Sequence, residues 1–352
     1  MHKKKPLILS EALKDYDSIL YLSRIHIRLP PFSGQQQQHV FSVNSIITNM
    51  VKKLRKTSLR LLRKMRFLPS KIYAHFLYEY YTGKKLNLKK PVEFNEKIQW
   101  YKVYYHPKIL NQLVDKFAVR AYVEEKIGPE YLNEIYGVYE KSEQIPFEDL
   151  PNQFVVKATH TSSHNLIVTD KTKVDTKAAF KLFKIWLGKN QYYRTGQEWA
   201  YKNVKPRLIV EKYLKDDDRS SLIDYKFYCF DGVAKFLKVH LDRSDNHKRG
   251  FYDLDFEPLP FRDVSIENSI TTEVKKPSNL DEMKKLSEIL ADKFPYVRVD
   301  FYSIKGKALF GEMTFYPSDG RKDFIPDEYN KIIGNYIKLP KLKNGQNSIT
   351  EF

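Results

Sequence analysis

The chain has 352 residues, with 61 Lys+Arg against 43 Asp+Glu, a formal net charge of +18, 42% apolar residues and one cysteine. That suffices for one large domain or two modest ones with a real core, and 25 Tyr and 22 Phe mark a globular rather than a disordered chain. The lone Cys229 excludes an internal disulfide and a Cys-based metal cluster, and no run approaches the roughly 18 to 20 apolar residues that span a bilayer, so neither export nor membrane spanning is expected.

The charge is unevenly placed. Residues 1–90 hold 19 Lys+Arg and 4 Asp+Glu, whereas residues 91–352 hold 42 and 39. The body is nearly neutral, which weighs against nucleic acid as its partner. Residues 1–46 combine a short helical pattern at Ser10–Leu22, the Pro30-Pro31 turn and the run Gln35-Gln36-Gln37-Gln38, and read as a poorly ordered extension. From Ile46 to Met65 the pattern is helical, with eight basic and no acidic residues between 51 and 66. This basic amphipathic helix has two readings of equal weight: a solvated face packed on the main domain, or a peripheral contact with an anionic membrane from the cytoplasmic side.

Three more helices are predicted: Lys71–Tyr81, Pro91–Tyr105 with Pro91 in its first turn, and Pro107–Ile127 running into Gly128-Pro129. Strands follow at Ile135–Tyr139, Gln153–Ala158, Leu166–Thr169, Arg207–Tyr213, Leu222–Phe230, Ala234–Val239, Tyr296–Tyr302 and Ala308–Phe315, with helices at Thr176–Trp186 and Leu280–Ala291 between them. A helical front followed by mostly antiparallel strands predicts α+β layering rather than a doubly wound sheet.

Four segments put charge inside strands, where it is costly without a task. Lys157 ends the apolar strand Phe154-Val155-Val156, and the loop His160-Thr161-Ser162-Ser163-His164 can lay N–H groups and hydroxyls over phosphates. The strand through Arg207-Leu208-Ile209-Val210 ends in Glu211-Lys212-Tyr213-Leu214, which suits a hinge that reads an adenine edge. In Asp224-Tyr225-Lys226-Phe227 the two charges share one sheet face. Finally Arg298-Val299-Asp300-Phe301-Tyr302 and Phe310-Gly311-Glu312-Met313-Thr314-Phe315 form a hairpin through Lys305-Gly306-Lys307, converging Asp300 and Glu312 on one face with Thr314 pointing the same way. Hard oxygen ligands on adjacent strands suit Mg2+ shared with nucleotide phosphates; the competing reading is that Arg298 neutralises Asp300 in a cross-strand ion pair.

In this order and spacing the four segments resemble the ATP-grasp fold. More narrowly, with Pro91-Val92-Glu93-Phe94-Asn95-Glu96-Lys97-Ile98-Gln99-Trp100, Asp115-Lys116-Phe117-Ala118-Val119-Arg120 and Leu150-Pro151-Asn152-Gln153-Phe154-Val155-Val156-Lys157, the chain is similar to the TupA-like ATP-grasp family over roughly Leu54 to Leu339. That family is named for a protein of teichuronopeptide biosynthesis and occurs among surface-polysaccharide genes, its members often labelled glycosyltransferases. The resemblance implies an α+β ATP-grasp domain over 107–340, preceded by helices over 47–106 and followed by a tail over 341–352. It implies ATP and Mg2+ as cofactors, with Lys157 on the phosphates, Lys116 or Arg120 as a second basic contact, and Glu211 and Leu214 holding the adenosine. Asp300, Glu312 and Thr314 would bind Mg2+, with Thr314 where many relatives carry asparagine. Lys226, Arg243 and Arg298 would stabilise the transferred phosphoryl group.

One departure is clear. Where the family loop usually reads His-Gly-Ser-Gly, this chain has His160-Thr161-Ser162-Ser163, which removes both glycines' freedom for positive φ. Either the hydroxyls of Thr161, Ser162 and Ser163 cradle ATP, or the site is degenerate. A His160 and His164 metal pair lacks a third ligand nearby. The leading expectation is an ATP-dependent ligase joining an amine or amino acid to a uronic-acid or sugar precursor of a cell-surface polymer; the alternatives are a glycosyltransferase and a binding protein with an inactive ATP-grasp body. Asp253-Leu254-Asp255 has the letters of a sugar-transferase metal motif but reads as a turn.

Overall fold

The computed structural model describes residues 53, 55–216, 222–241, 248–264 and 274–351. The chain divides into two compact units, residues 1–67 and Leu68–Phe352. In the first, residues 55–62 of the basic segment are helical; the extension over 1–46 and the helical pattern at Ser10–Leu22 lie outside the described residues. Among the described residues, no helix is long and apolar enough to cross a membrane.

The second unit begins with helices α1 (Ser70–Thr82) and α2 (Phe94–Tyr104). Helix α1 ends at Gly83, which takes the left-handed φ of +72° that closes a helix without steric cost. The sequence places Pro91 inside the first turn of α2, but the helix starts at Phe94. The Glu96 carboxylate folds back to accept the N–H groups of Glu93 and Val92, at 3.1 and 2.8 Å, and this fixes the start three residues later.

The single helix expected over Pro107–Ile127 is two, α3 (Ile109–Val114) and α4 (Val119–Ile127). Asp115 leaves the helical region at ψ 117°, and its carboxylate accepts the N–H groups of Phe117 and Ala118 at 2.8 and 3.1 Å, restarting the helix as a cap. The interruption exposes Lys116 to the interior, where its N–H reaches the Thr159 carbonyl at 3.2 Å.

Two sheets follow, each covered on one face by a helix. The smaller has the order β1 (Ile135–Tyr139), β4 (Leu208–Lys212), β2 (Phe154–Ala158), β3 (Asn165–Val168), with every pairing antiparallel. Phe154, Val156, Ala158, Leu208 and Val210 point to helix α5 (Thr176–Leu187), which buries Ala179, Phe183 and Trp186 against them. Each such side chain contributes about 1.5–3 kcal/mol, except the smaller alanines. Asp175 caps α5 by accepting from the Ala178 N–H at 2.9 Å. A short helix, α6 (Gln191–Arg194), leads on to β4. Strict alternation then leaves Lys157 and Glu211 on the opposite, open face.

The larger sheet has the order β10 (Lys307–Thr314), β9 (Val297–Ile304), β5 (Asp224–Phe230), β6 (Val233–Leu241), β7 (Lys248–Tyr252), again all antiparallel. Helix α7 (Leu280–Ala291) covers one face with Met283, Leu286 and Leu290. Register places Glu312, Asp300, Lys226, Lys238 and Phe251 in one row across all five strands on the other face. A bulge at Gly311 brings Glu312 into that row; a Cβ at Gly311 would meet the Asp300 carbonyl oxygen at 3.1 Å. A two-stranded ribbon, β8 (Arg262–Asp263) with β11 (Phe324–Ile325), and helix α8 (Glu328–Tyr336) complete the unit.

Candidate nucleotide site

The uncovered faces of the two sheets line a cavity of about 520 Å3. It brings together Lys157, Ser162, Ser163, Glu211 and Leu214 from the smaller sheet and its loops, and Lys226, Asp300 and Glu312 from the larger one, with Lys116 and Arg120 from the α3–α4 break. Arg243 lies outside the described residues. The sequence reading also passed over Tyr201 and gave Asp224 no role, although both line the cavity; the alternation of Asp224 with Lys226 already placed Asp224 on this face.

Charge in the cavity is paired within itself. Lys157 Nζ meets Glu211 Oε2 at 2.6 Å, because Lys157 opposes Ile209 and Glu211 stands two residues further along the same face. Arg298 holds Asp300 through two parallel bonds, Nε to Oδ1 at 2.7 Å and an NH group to Oδ2 at 2.8 Å, and also donates to Glu312 and Thr314, each at 3.0 Å. The Arg298–Asp300 pair therefore forms along one strand rather than across two. Across the strands, Lys226 bonds Asp300 and lies 3.5 Å from Asp224. Burial pushes the Asp300 carboxyl up, but Arg298 and Lys226 outweigh it and hold the pKa at about 2. Thr314 and Arg298 support this cluster from just outside the cavity wall.

The loop after β2 differs from expectation at Thr161. That residue is buried, its hydroxyl pairs with His164 Nδ1 at 2.7 Å, and its carbonyl accepts from Lys116 Nζ, so it faces the protein rather than the cavity. Ser162 and Ser163 do line the cavity. Arg194, which the sequence reading did not single out, donates to the Ser162 carbonyl and hydroxyl at 2.7 and 2.9 Å and Gln191 donates to the same hydroxyl at 2.8 Å, making the loop rigid. Ser163 takes a left-handed φ of +63°, the conformation a glycine would hold there, at a cost of about 1 kcal/mol. His160 sits against the carbonyls of Trp186 and Lys189 at 3.2 and 3.1 Å, a structural role. Lys116 also reaches the Ala158 carbonyl at 3.1 Å, and burial lowers its pKa.

The cation fit is specific in kind. Among the described residues there is no cluster of three or more His, Cys, Asp or Glu side chains arranged to hold a metal ion. Asp300, Glu312 and Thr314 offer oxygen donors alone, and Glu312 keeps 48% of its side chain exposed. Few, all-oxygen donors suit Mg2+ that takes its remaining ligands from phosphates and water, rather than a closed protein cage.

Tyr201 lines the cavity, and its hydroxyl pKa is raised by burial and then by the charges of Glu198 and Glu312. Lys102, a lysine on the buried face of α2, pairs with Asp319 at 2.6 Å, and Arg321 approaches the same carboxylate at 3.0 Å. Gln99 donates to the carbonyls of Asp319 and Gly320 at 2.8 Å each, holding a turn in which Ser318, Asp319 and Gly320 all have left-handed φ. Burial, and secondly the charge of Asp319, raises the Glu198 carboxyl from 4.5 to about 8. The folded state thus keeps a proton the unfolded chain releases. That contribution is full below pH 4.5 and is lost as pH rises to about 8. Chemical denaturation of Glu198→Gln should match the wild type near pH 4.5 and exceed it by a few kcal/mol near pH 8; a constant difference across that window would refute the assignment.

The fold is the ATP-grasp fold. The chain belongs to the TupA-like ATPgrasp family, whose model matches residues 96–338. Similar solved structures include D-alanine–D-alanine ligase from Bacillus anthracis, at 18% identity over 59% of each chain with a TM-score of 0.36. The same enzyme from Helicobacter pylori matches at 12% identity over 72% of this chain and 68% of that one, with a TM-score of 0.38. The ATP-grasp ligase PsnB in complex with a minimal precursor matches at 12% identity over 69% and 68%, with a TM-score of 0.37. The match thus spans 59% of the length of the Bacillus anthracis ligase. No curated protein matches the chain.

Proposed function

We propose that this protein is an ATP-dependent ligase that joins a carboxylate of a cell-surface polymer precursor, such as a uronic acid, to an amine or amino acid. The observation that carries this reading is the arrangement of charge in one cavity: Lys157 on one sheet faces Lys226, Asp300 and Glu312 on the other. The acceptor carboxylate attacks the γ-phosphorus of ATP, giving an acyl phosphate and ADP. An amine then attacks the acyl carbon, forming the amide and releasing phosphate and a proton. Lys157 and Lys226 neutralise the phosphates as charge moves to the leaving ADP, and Lys116 and Arg120 add positive potential from the α3–α4 break. Glu211 and Leu214 hold the adenosine.

Glu312 and Asp300, with Thr314 beside them, are the residues that would hold Mg2+. The ion would supply positive charge to offset that of the phosphates. Arg298 positions both carboxylates, since it bonds each of them and Thr314. The left-handed Ser163 and the ties of Ser162 to Arg194 favour a working phosphate loop over a degenerate one. Nothing in the family match or the similar structures supports glycosyl transfer, and Asp253 accepts the N–H groups of Asp255 and Glu257 at 3.0 and 2.8 Å, as a turn residue does.

The test is ADP release with Mg-ATP across a panel of uronic acids paired with amino acids. A carboxylate-dependent and amine-dependent release is expected. No ADP release on any pair, with transfer of sugar from a nucleotide sugar in the absence of ATP, would overturn the ligase reading in favour of a transferase.

A further inference from the structure

The basic segment at the start of the chain carries chemistry that the ligase reading leaves unused. Residues 1–66 hold 14 Lys+Arg against three Asp+Glu, so a large positive excess remains even with every one of those acids paired. The structure sorts part of this charge onto one side. Residues 53 and 55–62 are helical, and burial follows the helical period: Leu59 is buried, and Arg55, Ser58 and Leu62 are half-buried. These four positions, spaced by three and four residues, make the packed face. At about 100° per residue, Lys53, Lys56 and Arg60 fall within roughly 60° of one another on the opposite side, and all three are exposed. The turn runs on past the helix, where Arg63 and Lys64 donate their N–H groups to the carbonyls of Leu59 and Leu61 at 2.9 Å each, and this keeps the exposed Lys64 in line with the stripe.

We propose that this outward face is a docking surface for an anionic phospholipid bilayer. The helix lies along the surface, with its cations among the headgroup phosphates and neighbouring apolar side chains in the boundary beneath them. The proposal stands apart from the ligase reading, since it uses no residue of the nucleotide cavity. Charge complementarity is its first support. Lys53, Lys56, Arg60 and Lys64 form a stripe of one sign, and such a stripe gains from a surface of the opposite sign at every position at once.

The second support is the pair of large apolar side chains left outward in the same segment. Leu61, which follows Arg60 on the exposed side, is 61% exposed, and Phe67 is 73% exposed. A helix face that only met water would gain nothing from them, whereas cations mixed with outward apolar groups are the composition of a helix that lies in a membrane interface. The lysine stems add to this, because they cover apolar surface while their ammonium groups stay among the phosphates. Nucleic acid shares the phosphate chemistry but not the apolar part. Leu61 has neither a ring to stack on a base nor a donor for a phosphate oxygen, so its exposure is used by lipid and wasted on RNA.

The test is flotation of the full chain, without nucleotide, on pure phosphatidylcholine vesicles and on mixed phosphatidylcholine–phosphatidylglycerol vesicles, with single-stranded RNA as a parallel ligand. The protein should float with the mixed vesicles only, and the bound fraction should fall as salt is raised. Lys56→Glu combined with Arg60→Glu should weaken binding by about a hundredfold, since each cation near such a surface is worth about fivefold and each reversal counts twice. Leu61→Ser combined with Phe67→Ser should weaken it by about tenfold or more at unchanged charge, a loss that a purely electrostatic contact would not show. All four side chains are exposed, so both variants should keep the urea midpoint of the wild type. Equal flotation on pure phosphatidylcholine, unchanged binding in either double variant, or tighter binding to RNA than to the mixed vesicles would each overturn the proposal. Because no nucleotide is present, such a failure leaves the ATP reading standing.

Discussion

Asp300→Asn should cost about 3 kcal/mol of stability, measured as a shift in urea midpoint at constant slope. The substitution preserves shape and removes one charge, so the loss comes from what it leaves behind. Arg298 and Lys226 would remain in the interior, with side chains 13% and 4% exposed, without the carboxylate both of them bond. Breaking a buried pair from one side typically costs about 3–5 kcal/mol. The lower end applies here because Lys226 keeps Asp224 at 3.5 Å and Arg298 keeps Glu312 at 3.0 Å. Combining Lys226→Met with Asp300→Asn should cost less than the sum of the two single losses, because the bond between the two residues is lost only once, whereas the losses would simply add if the residues did not interact. The sign with pH follows from the same contacts. Asp300 falls from an ordinary value of 3.8 to about 2 in the folded protein. Its contribution, about 2 kcal/mol, is complete above pH 3.8 and disappears as pH falls through 2. The acid limb of the wild-type stability curve should therefore be steeper than that of Asp300→Asn.

Most of this cluster was legible in the sequence, for a definite reason. Charges embedded in apolar strands are costly, so Lys157, Lys226, Asp300 and Glu312 stood out from their neighbours, and the period of two assigned each a face. The eight predicted strands all form, with boundaries that differ by at most two residues. The misses have physical causes. The break at Asp115 depends on a carboxylate that caps its own chain and also pairs with Arg207 at 2.8 Å, ninety-two positions away, so helical periodicity ran straight through it. Thr161 was assigned to the nucleotide by its hydroxyl, but a loop hydroxyl has no fixed direction until its partner, here His164, is placed. Arg194 and the network of Lys102, Glu198, Asp319 and Arg321 assemble from separate elements. Their only local signals were a lysine on a buried helix face and a Ser-Asp-Gly turn. Strand β7 was missed because Lys248 and Arg249 dilute its apolar run, although Phe251 and Tyr252 anchor it to the sheet.

Mg-ATP at a hundredfold excess over its dissociation constant should stabilise the wild type by about 2.7 kcal/mol, and Lys157→Ala should abolish most of that gain. The size of the effect follows from the free protein. Lys157 spends its charge on Glu211 at 2.6 Å, a contact on a partly exposed face. Phosphates that take over this lysine gain a charge-assisted bond of about 1.5–3 kcal/mol, which its removal forfeits, weakening ATP by roughly tenfold to a hundredfold. Glu211→Gln separates this from general damage to the sheet. It removes the competing carboxylate while leaving Lys157 in place, so the phosphate contact survives and any loss belongs to adenosine alone. Adenosine binding should then fall in Glu211→Gln and persist in Lys157→Ala, while inorganic triphosphate should show the reverse. A wild-type-sized ATP shift in Lys157→Ala would mean that the lysine serves only its pair with Glu211, and the phosphates would have to be placed on Lys116 and Lys226 instead.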